Sequence, residues 1–285
     1  MLPESTDTTV RLTMASSAMA GYSGALQQLI EYPYGCAEQI ASRLVPFVAL
    51  RQLQRAFGLE PLGAEASAAQ RERERVWWGR WLGNETLPDS ASPDEIVTDS
   101  LARLRRLQLD NGGLKYWSDG HCGDPWATAW GLIAAERAQR AGYRVDPALI
   151  AGAQRYLSEQ VAPGTLQSCG WRDSKVDDPT RVMALWALAR SGAPKGSYYA
   201  ELFARRTSLP LFSRAMLADA LLQKAGDVTM GQRALTELMT TAQETAGTVH
   251  FQESDQTSHA AYWSSDTRTT ALVNGWRCRA RARSR

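Results

Sequence analysis

An all-α fold, with helices alternating between an inner and an outer ring, is predicted by three observations on this 285-residue sequence. From residue 15 onward the apolar pattern is helical nearly throughout, broken at Gly, Pro, Asn and Asp clusters. Segments 126–135, 182–189 and 215–222 are apolar around most of their surface. A helix with no polar face belongs inside a large fold or a membrane, and these runs are shorter than the roughly 18 residues of a membrane span. Between them lie segments with a single apolar face: Leu149, Ile150, Ala153, Tyr156 and Leu157 on one, Ala234, Leu235, Leu238 and Met239 on another. Inner and outer helices in alternation describe an α/α toroid.

The inner helices are expected to begin near Asp124, Asp178, Ser213 and Asp266, a loose internal period. Asp124-Pro125 and Asp178-Pro179 read as N-caps followed by a proline in the first turn. Residues 10–14 (VRLTM) alternate as a short strand. The expected organisation is a linker with an orphan strand of a neighbouring β-domain over 1–14, a helical domain over 15–275, and a disordered basic tail over 276–285. The toroid is expected to be incomplete on that C-terminal side.

Composition narrows the function. The hydrophobic fraction of 44% supports a substantial core, and ten tryptophans suggest large irregular volumes to fill. The net charge is +2, but residues 277–285 hold five arginines and no acid, so the remainder carries +2 − 5 = −3. The body has no basic excess for nucleic acid. Residues 71–81 (RERERVWWGRW) alternate opposite charges and read as a solvated helix face with tryptophans turned inward. No apolar run is long enough for direct membrane insertion, and the start carries no signal-peptide pattern. Four cysteines, Cys36, Cys122, Cys169 and Cys278, include no CxxC pair, so no metal or other cofactor is expected. Cys122 and Cys169 are candidates for a disulfide between neighbouring loops.

Cys36 and Gln39 carry the chemistry. They stand three apart, between the turn-prone Tyr32-Pro33-Tyr34-Gly35 and a helix containing Ile40, Leu44, Val48 and Leu53. A turn that sets the thiol against the Gln39 carboxamide would allow attack and loss of ammonia, giving an internal thioester, because held reactants have a high effective concentration. Tyr32, Tyr34, Tyr116 and Trp117 are candidates for an apolar lid that keeps water out, with core packing the alternative for each. His121 is a candidate base, against the plainer reading of an exposed loop histidine. Glu38 reads as a solvated carboxylate near a helix N-terminus.

The string YPYGCAEQ at 32–39 resembles the reactive loop of bacterial alpha-2-macroglobulins, and CxEQ is also the thioester signature of the complement proteins. LPES at 2–5, DNGGLKYW at 110–117, DPWATAW at 124–130 and LPLFSRAMLADALLQKAGD at 209–227 resemble further family segments. The resemblance implies a Cys36–Gln39 thioester that acylates amines of an attacking protease, a bacterial periplasmic or envelope location, and further domains of a full-length macroglobulin. Each molecule acts once, so no turnover enzyme is implied. In the complement branch a histidine lies on the loop before one inner helix; the corresponding 165–176 contains none. Two other readings stay open: a toroid glycosidase or terpene cyclase, for which only Asp177-Asp178 offers an adjacent acid pair, and a helical scaffold with an inactive motif.

Overall fold

The computed structural model describes residues 35–56, 67–73, 76, 93–168, 173–223, 226–253 and 265–283. The expected strand at 10–14, the 77–81 part of the charged aromatic segment, and Tyr32 and Tyr34 lie outside them. The principal helices are α1 (Ala37–Ala56), α2 (Pro93–Leu107), α3 (Pro125–Arg140), α4 (Pro147–Gln160), α5 (Asp178–Arg190), α6 (Tyr199–Ala204), α7 (Leu211–Leu222), α8 (Val228–Met239) and α9 (Asp266–Arg283). Two antiparallel hairpins interrupt them, β1 (Leu166–Ser168) with β2 (Asp173–Lys175), and β3 (Gln243–Thr245) with β4 (Thr248–His250).

The inner helices pack in chain order: α1 on α3, α3 on α5, α5 on α7 and α7 on α9. Outer helices cover them, α2 on α1, α4 against α3 and α5, and α8 on α7. The apolar segments behave as their composition requires, with every residue from Arg181 to Ala189 of α5 buried. In the outer helix α4, Leu149, Ala153, Tyr156 and Leu157 are buried on one face. This is the all-α, toroid-like arrangement expected from the alternation.

Three of the inner helices run in the same direction. At their C-terminal ends, Arg190 of α5 reaches Asp219 of α7 at 3.4 Å and Glu136 of α3 at 3.9 Å. Asp219 also accepts from the Trp186 indole at 2.7 Å. At the other end, Trp126 of α3 and Phe212 of α7 meet edge to face at 6.0 Å. The N-termini therefore gather at one end of the bundle, and each carries an acceptor. Asp124 takes the Ala127 N–H of α3 at 2.7 Å, and Glu253 takes the Leu211 and Phe212 N–H groups of α7 at 2.9 and 2.7 Å.

One expectation is corrected. The cap of α5 is Asp177, which accepts from Thr180 N–H at 2.8 Å, so Asp178 is the first helical residue and pairs with Arg181 at 2.9 Å. Of two adjacent aspartates, the one three residues before an orphan N–H at N3 wins the cap. Helix α9 runs from Asp266 to Arg283. Arginine and alanine are good helix formers, and extending an existing helix needs no new nucleus.

The loop between α2 and α3 depends on Gly112, whose φ is +93° and whose missing Cβ would stand 2.1 Å from the Gly152 carbonyl oxygen. Gly112→Ala combines a disfavoured backbone conformation with a backbone clash. It should cost at least about 2 kcal/mol in urea unfolding; an unchanged midpoint would show that the loop and α4 can separate freely.

Candidate functional site

Cys36 is the residue preceding α1, and Gln39 is the third residue of that helix. The Gln39 N–H donates to Cys36 Sγ at 3.4 Å, and the Cys36 N–H donates to Gln39 Oε1 at 3.3 Å. This reciprocal pair is a capping box in which a thiol replaces the usual hydroxyl. It satisfies two N–H groups that a helix start otherwise leaves unpaired. Its signal was in the sequence, since Ser/Thr-x-x-Glu/Gln before an apolar helix is the ordinary form and Cys-x-x-Gln differs by one atom type.

The same hydrogen bonds place the reacting groups. The thiol and the carboxamide are held on one turn, and the Cys36 N–H points at the oxygen where charge would develop during attack on the carboxamide carbon. Cys36 is a free cysteine and only 2% exposed, whereas Gln39 is half-buried. Burial pushes the Cys36 thiol above its ordinary range, and the Glu38 charge pushes the same way. The Gln39 N–H and the Tyr116 hydroxyl oppose this only in part.

Gly35 precedes the cap, and a side chain there would collide with the Arg103 guanidinium of α2 at 2.0 Å. The other wall is the α2–α3 loop. It is tied down by Lys115 N–H to the Leu107 carbonyl at 3.0 Å, Leu114 N–H to Thr128 Oγ1 at 2.8 Å, and Asp124 N–H to the Leu114 carbonyl at 2.8 Å. The Tyr116 carbonyl accepts the Ala37 N–H at 2.9 Å, and its hydroxyl donates to Glu38 Oε2 at 3.0 Å. Tyr116 thus grips the first turn of α1 from both ends.

Among the expected site residues, Cys36, Gln39 and Tyr116 are brought together. Trp117 joins only through an edge-to-face contact with Tyr116 at 5.7 Å and is 46% exposed. His121 is exposed in the same loop, without a hydrogen bond or ion pair among the described residues. Glu38 departs from its expected solvated role: it is half-buried, and burial raises it above the usual carboxylate range despite the Tyr116 hydrogen bond and the charge of Arg268. Cys122 is disulfide-bonded; Cys169, its expected partner, lies outside the described residues. No cluster of three or more His, Cys, Asp or Glu among the described residues is placed to hold a metal, and no described helix is long and apolar enough to cross a membrane.

Comparison with known proteins places this arrangement. The chain is 27% identical to an Escherichia coli alpha-2-macroglobulin over 214 residues, 74% of its length, and 28% identical to one from Ralstonia nicotianae over 174 residues, 48% of its length. Its relatives are bacterial alpha-2-macroglobulins. The chain spans 11% of the length of each. No family model matches it. The fold is similar to that of native Escherichia coli alpha-2-macroglobulin from domain MG7 to the C-terminus, with a TM-score of 0.57 and 24% identity, covering 80% of this chain and 32% of that one. Against Salmonella alpha-2-macroglobulin reacted with methylamine the TM-score is 0.58 at 22% identity, covering 90% of this chain and 16% of that one.

The capping role separates from the reactive one. Cys36→Ser keeps a side-chain acceptor at the cap and should unfold in urea close to wild type, whereas Cys36→Ala should lose about 1 kcal/mol. Equal midpoints for the two variants would mean that the Sγ contact contributes nothing to the helix. In protein whose Cys36 is a free thiol, alkylation by iodoacetamide should increase only above the ordinary thiol range of about 8.5, because burial holds the proton on. A half-maximal rate below that pH would show a thiolate stabilised by the helix end instead.

Proposed function

We propose that residues 15–275 form the thioester-bearing domain of a covalent protease trap. The observation that carries this reading is the reciprocal Cys36–Gln39 capping box, built on a free, buried thiol in a relative of the bacterial alpha-2-macroglobulins. The Cys36 sulfur attacks the Gln39 amide carbon, the C–N bond breaks, and the thiol proton leaves with ammonia. A lysine amine of a protease later attacks that carbon, forms an amide with Gln39, and releases the Cys36 thiol. One acyl transfer consumes the site. Holding both groups in one turn supplies the effective concentration that amide cleavage by a thiol needs.

Escherichia coli alpha-2-macroglobulin is known in forms activated by porcine elastase and by trypsin, and the Salmonella protein in a form reacted with methylamine. Those relatives support proteases as partners and an amine as a usable nucleophile. They also support further domains around this one, and the family resemblance implies a cell-envelope, periplasmic setting. The glycosidase or cyclase reading finds little support in the acid pair, because Asp177 caps α5 and Asp178 is paired with Arg181 and Arg205.

Freshly prepared protein should be one ammonia lighter than its sequence requires, and Cys36→Ala should restore the full mass. Methylamine should then add at Gln39 and free one thiol. Full mass in gently prepared protein, with an unmodified Gln39 that methylamine leaves untouched, would sink the proposal. A glutamate at position 39 would report a thioester formed and then hydrolysed.

Nucleophile choice follows from what surrounds the acyl carbon. Amines attack thioesters unaided, whereas hydroxyls need a positioned base. Loop 165–176 contains no imidazole, and His121 makes no described contact with the cap. Methylamine should outcompete glycerol at matched concentration when Gln39 adducts are read by peptide mass. Efficient glycerol ester formation, lost in His121→Ala, would restore that histidine as the base.

A further inference from the structure

Arg51, Arg181 and Arg190 bury their side chains almost wholly, and a carboxylate answers each of them. Arg43 and Arg103, half-buried beside the reactive cap, have no such answer among the described residues. Arg103 of α2 occupies the space that a Gly35 side chain would fill, with Nη2, Cζ and Nε all within 4 Å of that position, so it lies over the residue preceding Cys36. Arg43 stands four residues after Gln39 on the same face of α1. Side chains on a helix lean back toward its N-terminus, which here carries the acyl centre. The Arg43 Nε is buried without a hydrogen bond, and neither guanidinium forms a hydrogen bond or ion pair among the described residues. Burial first, and then the charge of Arg103, hold Arg43 below its ordinary range, while Asp99 acts against them. Asp99 is exposed and in ion-pair contact with neither arginine. Glu38, the carboxylate of the first turn, is engaged instead by the Tyr116 hydroxyl at 3.0 Å. Partly desolvated cations are normally paired, and two of them with no anion between them make a place for one.

We propose that Arg43 and Arg103 form an anion subsite at the acyl centre, which takes a carboxylate borne by the attacking amine; the assignment rests on the thioester reading above. One guanidinium lies before the Cys36 cap and the other a helical turn past Gln39, so the pair flanks the reacting turn. An acceptor whose carboxylate is a few bonds from its nitrogen sets the anion on this pair while the nitrogen reaches the Gln39 carbonyl carbon. The chemistry is that of any amine. Nitrogen forms the amide, the C–S bond breaks with its electron pair on Cys36 Sγ, and the proton lost by nitrogen ends on sulfur. The anion supplies binding energy that holds the nucleophile in place, and the planar guanidinium fork suits a carboxylate. The same positive field disfavours a cationic acceptor. On a protein target, a lysine with an acidic side chain beside it is therefore preferred to an isolated one.

The test uses the full chain and two probes of nearly the same shape, β-alanine and its neutral amide, β-alaninamide. Thiol release is measured per molecule of intact thioester and per unprotonated amine, so folding yield and amine basicity drop out. β-Alanine should react at least ~5-fold faster at low salt, and the advantage should shrink as salt screens it. Arg43→Gln and Arg103→Gln should each reduce that ratio, and the double variant should abolish the preference. Equal rates for the two probes in wild type, or a preference that salt or the double variant leaves unmoved, would overturn the subsite. Should the double variant not fold, the wild-type ratio and its salt dependence decide. A second readout needs no thioester. At the Cys36 thiol freed by methylamine, read by peptide mass, the rate of alkylation by iodoacetate relative to iodoacetamide should fall at least ~5-fold from wild type to the double variant. An unchanged ratio there would also overturn the subsite. A wild-type chain with neither the mass deficit nor any amine adduct would instead refute the thioester reading, and the same alkylation ratio on its free thiol would still decide whether the arginines attract an anion.

Discussion

The reciprocal hydrogen bonding between Cys36 and Gln39 is the constraint on which the rest of this end of the molecule depends. A helix start must find acceptors for its first N–H groups, and here the acceptors are the two side chains between which we propose the thioester forms. Folding α1 and assembling the reactive pair are therefore one event. The Cys36 N–H would keep its acceptor after acyl transfer from nitrogen to sulfur, because the carbonyl oxygen of Gln39 survives in a thioester. The Gln39 N–H would lose most of its own, since an acylated sulfur is a weaker acceptor than a thiol. A reacted cap is in this respect less well satisfied than an unreacted one.

Three neighbouring helices carry charged caps at this end, whereas α9 has a neutral one, the Ser265 hydroxyl accepting the Arg268 N–H at 3.2 Å. Asp124, Asp177 and Glu253 cap α3, α5 and α7 with carboxylates, where negative charge is favoured by the helix dipole. Ser265 and Asp266 stand at the start of α9, and Asp266 also accepts the Glu253 N–H at 2.8 Å. An acid in place of Cys36 would cap α1 at least as well. It would also have no thiol to offer, and a second charge beside Glu38 would stand in the same buried corner.

Much of this was legible in the residues. All-round apolar runs at 126–135 and 182–189 became inner helices because no face of theirs tolerates water, and Leu149, Ala153 and Leu157 turned inward because their spacing is helical. Cys36 and Gln39 were legible because local spacing fixes their distance. Tyr116 was visible only as one of several aromatic candidates, and its partner Glu38 is 78 positions away, a pairing that no periodicity encodes. Trp117 carries the same kind of side chain as its neighbour, yet the loop turns it outward. The choice between Asp177 and Asp178 depended on a single residue of helix phase, below the resolution of pattern reading.

The position of α9 gives the arc of inner helices a physical link to the reactive end. Arg268, in its first turn, is half-buried and held below its ordinary range by that burial, while the charges of Glu38 and Glu253 act to keep it protonated. Glu253 in turn takes the N–H groups that open α7 and the Thr269 hydroxyl of α9. The charge of one half-buried cation therefore acts on both the cap of α7 and Glu38. Removing the Arg268 charge would take a counter-charge from buried Glu253 and half-buried Glu38, and Glu38 would rise further toward its neutral form. A neutral Glu38 is a weaker acceptor for the Tyr116 hydroxyl. The last inner helix is thus coupled electrostatically to the first, although 230 residues of chain separate Arg268 from Glu38.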